Sequence, residues 1–115
     1  MKTLVVGADR EGLRILLFDK AQSIIDTQLN EPAAQRNERS LVEAQLQAVQ
    51  ESWSSIDQFV VLSVPHSHTS VRVITTIMRT SAWYFGRPLQ ILDCETLDQY
   101  NAVELIDYLR KLSGE

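Results

Sequence analysis

Phe59-Val60-Val61-Leu62-Ser63-Val64-Pro65-His66-Ser67-His68 runs directly into Thr69 to Phe85, seventeen residues with no Gly or Pro that end on Gly86. The first six positions are apolar apart from Ser63, the pattern of a strand buried on both faces in a partly parallel sheet. The run that follows is ambiguous by residue type, because Val71, Val73, Ile74, Thr75, Thr76 and Ile77 are all β-branched and favour strand. Length decides for a helix: the run exceeds an ordinary strand, and Gly86 suits the left-handed position past a helix C-terminus. Downstream, Gly86-Arg87-Pro88 turns the chain into a short strand, Leu89 to Leu92, which completes a strand-helix-strand crossover. Asn101 to Leu112 then reads as a closing helix with Ala102, Leu105, Leu109 and Leu112 on one side.

Upstream, Thr3 to Val6 and Leu13 to Phe18 are apolar runs separated by the polar cluster Ala8 to Gly12, and Asp19-Lys20 suits a tight turn into a weaker strand, Gln22 to Gln28. These thirty residues predict an antiparallel meander. Glu31-Pro32 punctuates the chain, and the segment to about Trp53 has helical periodicity, with Val42, Leu46, Val49 and Trp53 on one stripe. A second stripe of Leu41, Ala44 and Ala48 has side chains small enough for another helix to approach closely, either within the fold or from a partner. The predicted order is βββαβαβα: one α/β domain spanning 1–115, with a five-stranded mixed sheet and Phe59 to Val64 as its central strand.

At 115 residues, one domain with one core is expected, and a chain of this size removes roughly 60–70% of its unfolded surface from water. The apolar fraction of 44% and charged fraction of 23% argue against disorder. A net charge of −4 is the wrong sign for gripping phosphate backbones, so direct nucleic-acid binding is not expected. The lone Cys94 forms no internal disulfide, no apolar stretch approaches the ~20 residues that span a bilayer, and the opening apolar run breaks at Asp9-Arg10, too early for a secretion signal. A cytoplasmic protein without membrane association is expected.

The βββαβαβ order with an antiparallel start is that of one lobe of the actin-like ATPase, or ribonuclease H-like, superfamily. Within Val64 to Arg72, the residues Pro65, Ser67, Thr69 and Arg72 match the motif G-P-G-S-F-T-G-L-R, and here the chain resembles the N-terminal lobe of TsaB, a bacterial tRNA threonylcarbamoyladenosine biosynthesis family. Glu11, Glu38 to Leu41, Ile56-Asp57 and Gly86-Arg87-Pro88-Leu89 fall in register with the same family. The resemblance implies a lobe that pairs with the related subunit TsaD and supports tRNA modification without supplying the catalytic centre. The departures are specific. Alignment through Glu11 puts Gly7 where the family's first strand carries Asp, and Val64, His66 and Ser70 replace the three motif glycines. The family's second lobe falls beyond these residues, so the cleft in which actin-like proteins hold nucleotide is not expected of this chain, nor is a cofactor.

Several side chains remain as candidates for chemistry. His66 and His68 are the start of a metal site that has only Cys94 as a further soft donor, where a structural zinc needs about four ligands; two ordinary loop histidines is the simpler reading. Ser67 and Thr69 precede a helix whose free N–H groups attract anions, but a plain N-cap is the simpler reading of either hydroxyl. Asp9 is the one carboxylate able to stand in for the missing strand Asp, so a nucleotide-binding or hydrolytic enzyme using Asp9, Ser67 and Thr69 is the alternative function. Neighbouring Asp93 and Glu95 are expected to raise the Cys94 thiol pKa and keep it unreactive. Helical steps place Ile74, Ile77, Met78, Ser81, Ala82 and Phe85 on the core face of the second helix. The opposite face carries Arg72, Thr76, Arg79, Thr80 and Trp83, with Val73 and Tyr84 at its edge. Trp, Tyr and Arg are enriched at binding hot spots, so Trp83 either meets a partner or packs under another segment of the chain. The expected function is a non-catalytic scaffold that pairs through its first two helices with a TsaD-like or TsaB-like protein or with a second copy as a homodimer.

Overall fold

In the computed structural model, which describes residues 1–114, alternation within each strand decides which layer its side chains join. Strand β1 (Lys2–Ala8) sends Leu4, Val6 and Ala8 to one side of the sheet and Val5 to the other. Strand β2 (Leu13–Asp19) divides likewise, Leu13, Ile15 and Leu17 against Leu16 and Phe18. Strand β3 (Gln22–Leu29) is exposed along much of its length and contributes Ile25 to the first side. Strands β4 (Gln58–Ser63) and β5 (Leu89–Asp93) complete the sheet in the order β3-β2-β1-β4-β5. The β1–β2 and β2–β3 pairs are antiparallel, and the β1–β4 and β4–β5 pairs are parallel. The central strand is therefore β1, not β4 as expected; β4 is still buried on both faces because helices cover both sides of it.

Helices α1 (Glu38–Ala48) and α2 (His68–Phe85) lie on one side, where Val42, Leu46, Ile74, Met78 and Ala82 pack on β1, β2 and β4. Helix α3 (Ala102–Leu112) covers the other through Leu105, Ile106 and Leu109. Each fully buried aliphatic or aromatic side chain in these layers contributes about 1.5–3 kcal/mol relative to exposure. Helix α2 confirms the length argument over local residue preference, and Gly86 terminates it in the left-handed region (φ 64°, ψ 38°).

Two helix readings are corrected. The first helix ends at Ala48 rather than near Trp53, because Gln50 takes a positive φ of 61° and reverses the chain. The Gln50 and Glu51 N–H groups donate back to Gln47 O and Leu46 O, a Schellman closure with glutamine in the place glycine usually holds. Trp53 belongs to a separate 3-10 turn (Trp53–Ser55), stacks on Phe59 and donates Nε1–H to Glu43 Oε1 at 3.0 Å. In α3, Leu112 is 51% exposed and Ile106 takes its expected place in the core.

Two arginines are buried, which composition alone gave no reason to expect. Arg14, on the same face of β2 as Leu16 and Phe18, donates Nη1–H to Leu97 O and Tyr100 O and so holds the loop between β5 and α3. Arg36 donates Nη1–H to Gly12 O and Glu31 O and Nη2–H to Ser70 Oγ, and its Nε lies 3.5 Å from Glu38 Oε2 as an ion pair. It joins the β1–β2 turn, the approach to α1 and the first turn of α2.

Candidate functional site

The parallel pairing of β1 with β4 brings their C-terminal ends together, and the candidate residues of the two following loops meet there. Asp9, directly after β1, is committed to its own turn: Oδ1 accepts the Glu11 and Gly12 N–H groups at 2.9 and 2.8 Å. The loop after β4 carries Pro65 to Ser67 into α2, and Arg10 joins His66, Ser67, His68 and Thr69 around a depression of about 200 Å³. His66, His68 and Thr69 are exposed. Ser67 occupies the N-cap position of α2 but makes no capping hydrogen bond, and its buried Oγ has no hydrogen-bond partner among the described residues.

A serine nucleophile needs a base within hydrogen-bond reach, and Ser67 Oγ bonds neither His66 nor His68, so no serine–histidine pair is assembled. No group of three His, Cys, Asp or Glu side chains is placed to share a metal ion among the described residues. Cys94 is buried at the end of β5, and desolvation raises its thiol pKa; Asp93 and Glu95 add smaller upward effects, while Arg14 opposes them. Burial is therefore the main cause of that shift, ahead of the neighbouring carboxylates.

Three of the four positions where this chain departs from the TsaB motif are packed, and the fourth, His66, is exposed. A Cβ at Gly7 would lie 2.7 Å from Leu97 Cδ2 and 2.8 Å from Leu62 Cβ. Val64 is buried in the layer under α3, and Ser70 Oγ accepts from Arg36. Sequence reasoning missed the parts played by Arg10 and Arg36. For Arg10 the signal was its position one residue past Asp9, on a turn that the parallel pairing brings beside Ser67; for Arg36 no periodic signal existed.

The second candidate region is the outer surface of α1 and α2. Every residue assigned to the outward face of α2 is exposed: Arg72, Val73, Thr76, Arg79, Thr80 and Trp83, with Tyr84 beside them. Trp83 is 81% exposed and Tyr84 73%, which excludes packing of Trp83 under a loop or under α3. Thr69, Arg72, Val73, Thr76 and Ile77 line a shallow groove of about 450 Å³. Thr76 Oγ1–H bonds Arg72 O and Ser81 Oγ–H bonds Ile77 O, so these hydroxyls are satisfied within the helix. On α1, Ala44 and Ala48 are exposed, while Leu41 is half-buried and packs inward.

Sheet order, mixed pairing and helices on both faces define an α/β lobe of ribonuclease H-like topology. Its fold is that of a TsaB-like lobe. It is similar to YeaZ (TsaB) from Pseudomonas aeruginosa, with a TM-score of 0.71 and 16% sequence identity over 81% of this chain and 45% of that one. It is also similar to a solved protein described as resembling the peptidase YEAZ from Pseudomonas aeruginosa, with a TM-score of 0.66 and 16% identity over 80% of this chain and 43% of that one. The chain thus spans less than half the length of these solved relatives. No protein-family model and no curated protein matches it.

Proposed function

We propose that this chain is a cytoplasmic, non-catalytic protein-binding lobe that pairs across the outer face of α1 and α2 with a protein of related fold. The TsaB-like fold supports reading the partner as TsaD-like or TsaB-like, or a second copy, and the process as tRNA threonylcarbamoyladenosine modification. The observation that carries this reading is Trp83, a large indole left 81% in water beside Tyr84, Arg72 and Arg79. Aromatic and arginine side chains dominate hot spots because they bury much apolar area on few rotatable bonds. The exposed Ala44 and Ala48 on α1 let a partner helix approach closely.

The test is association. Mass by light scattering, and capture of TsaD or TsaB by the tagged chain, are measured for the parent and for Trp83→Ala and Ala48→Glu. Loss of a hot-spot indole weakens binding by about 2 kcal/mol or more, at least about thirtyfold in affinity. Val103→Glu, at an exposed position on α3, is the control that leaves association unchanged. Variants that match the parent in mass and in capture would contradict the proposal.

A further inference from the structure

The main chain of β5 has one bonded side and one open side. Phe59 N–H donates to Pro88 O at 3.0 Å, and Cys94 N–H donates to Ser63 O at 2.9 Å. A strand in a parallel ladder turns alternate residues toward its neighbour, so Pro88, Gln90, Leu92 and Cys94 face β4. Leu89, Ile91 and Asp93 therefore turn their N–H and C=O groups away from the sheet, and among the described residues no strand pairs with that side.

Open edges of this kind are usually blunted, because they offer a template to another chain. The opposite edge of the sheet is blunted: β3 carries Asp26 and several exposed polar residues, and its register against β2 shifts between Leu17 and Phe18. Strand β5, Leu-Gln-Ile-Leu-Asp, holds no Pro or Lys and keeps an unbroken register with β4. Its midpoint, Ile91, is 47% exposed.

The sequence around that midpoint is complementary to itself. Antiparallel pairing of two copies about Ile91 sets Leu89 of each against Asp93 of the other, so every outward N–H and C=O of the three residues meets its counterpart. One step beyond the strand at either end, Arg87 of one copy falls opposite Glu95 of the other and diagonal to its Asp93. All three charged side chains are exposed, and within the chain Arg87 reaches Asp57 only at 4.0 Å.

We propose that the open edge of β5 pairs antiparallel with β5 of a second copy, about a two-fold axis at Ile91, and joins the two sheets into one. Ile91 meets its counterpart on the face that carries α2, since it is in register with Val61. The Arg87–Glu95 pairs fix the register. Such a pairing uses the same edge of both copies, so it closes at a dimer, and the blunted β3 strands end the joined sheet. The outer face of α1 and α2 stays free for a different protein.

The experiment is sedimentation equilibrium of the full chain, together with amide hydrogen exchange. A concentration-dependent dimer is expected, with exchange at Leu89, Ile91 and Asp93 slowing as the dimer fills. Ile91→Pro removes an outward N–H and leaves the bonds to β4 in place, so it keeps the circular dichroism of the parent and abolishes the dimer. Arg87→Glu and Glu95→Arg each weaken self-association by about tenfold or more, because two attractive pairs become repulsive. The double exchange restores association to within about threefold of the parent, a comparison that decides the matter even if Ile91→Pro fails to fold. Trp83→Ala leaves this dimer intact, which separates it from any contact made through α1 and α2. A parent that stays monomeric at its highest soluble concentration, a dimer that survives Ile91→Pro, a double exchange without recovery, or a dimer lost in Trp83→Ala would overturn the assignment.

Discussion

Gly7 is the sharpest test of whether this lobe has closed the position at which the resemblance places a strand carboxylate. It pairs with Leu62 across the β1–β4 ladder, and an added Cβ would lie 2.8 Å from Leu62 Cβ, 3.1 Å from Leu62 Cδ1 and 2.7 Å from Leu97 Cδ2. Carbon atoms prefer separations of about 3.5–4.0 Å, so each contact falls several tenths of an ångström or more inside the optimum. The Leu97 methyl is the end of a flexible side chain and can swing aside. Leu62 Cβ cannot, because it is fixed to a strand paired on both sides. Overpacking of this kind costs about 1–3 kcal/mol, partly offset in Gly7→Ala by the lower entropy of the unfolded chain, about 0.5–1 kcal/mol. The net expectation is a loss of about 1–2 kcal/mol, or a melting temperature lower by about 4–10 °C. Gly7→Asp adds a buried, unpaired carboxylate at several kcal/mol more, enough to unfold most of a domain with a total stability of about 5–15 kcal/mol. Urea denaturation followed by circular dichroism reads both variants, with an unchanged slope showing that only stability has moved. A Gly7→Ala protein with the parental midpoint would refute the packing argument, and a well-folded Gly7→Asp protein would show that the position still admits a carboxylate.

Gln50→Gly relieves the left-handed glutamine after α1 and is expected to stabilise the fold by about 0.5–1 kcal/mol in the same urea assay. Arg36→Met leaves Glu38 buried without its guanidinium, removes the Arg36 donor from Glu31 O and Ser70 Oγ, and leaves Gly12 O with the Asp9 N–H; a loss of about 3–5 kcal/mol is expected by thermal melting. On the acid side, the hydrogen bond from Lys2, then that from Ser55, holds the Glu51 carboxyl below its usual range, and those from Trp53 and then Arg39 do the same for Glu43. Both folded-state values lie below the unfolded ones, so their stabilisation is present above the ordinary carboxylate range, about pH 4.3, and disappears as pH falls through the lowered values. Stability measured from pH 6 down to 3 should therefore decline less steeply in Glu51→Gln than in the parent.

Alternation and length carried most of the architecture. The antiparallel meander was readable because Leu4 to Val6 and Leu13 to Phe18 flank a polar turn, and α2 because no strand runs for seventeen residues. The end of α1 was not readable: the chain reverses at Gln50, a residue that gives no turn signal, and in the sequence the apolar stripe runs on to Trp53. Arg14 was recoverable in principle, since strict alternation puts it on the face of Leu16 and Phe18. Its burial depends on carbonyls more than eighty residues away, a tertiary arrangement that local pattern does not encode. At the candidate sites the outward residues of α2 followed from helical phase alone. The isolation of the Ser67 hydroxyl did not, because an N-cap serine ordinarily bonds its own helix.

The β-branched residues that made α2 look like a strand have a use on its outer surface. Val73 and Thr76 are stiff at χ1 in a helix, and the Thr76 hydroxyl is tethered to the turn beneath it, so both enter a docked state already ordered. A neighbour seated there would freeze few rotamers at these two positions and find the Thr76 hydroxyl already paired, leaving the long arms of Arg72 and Arg79 as the main source of lost side-chain freedom. Weak helix formers at these positions thus trade local helical preference for a surface that is rigid before anything binds.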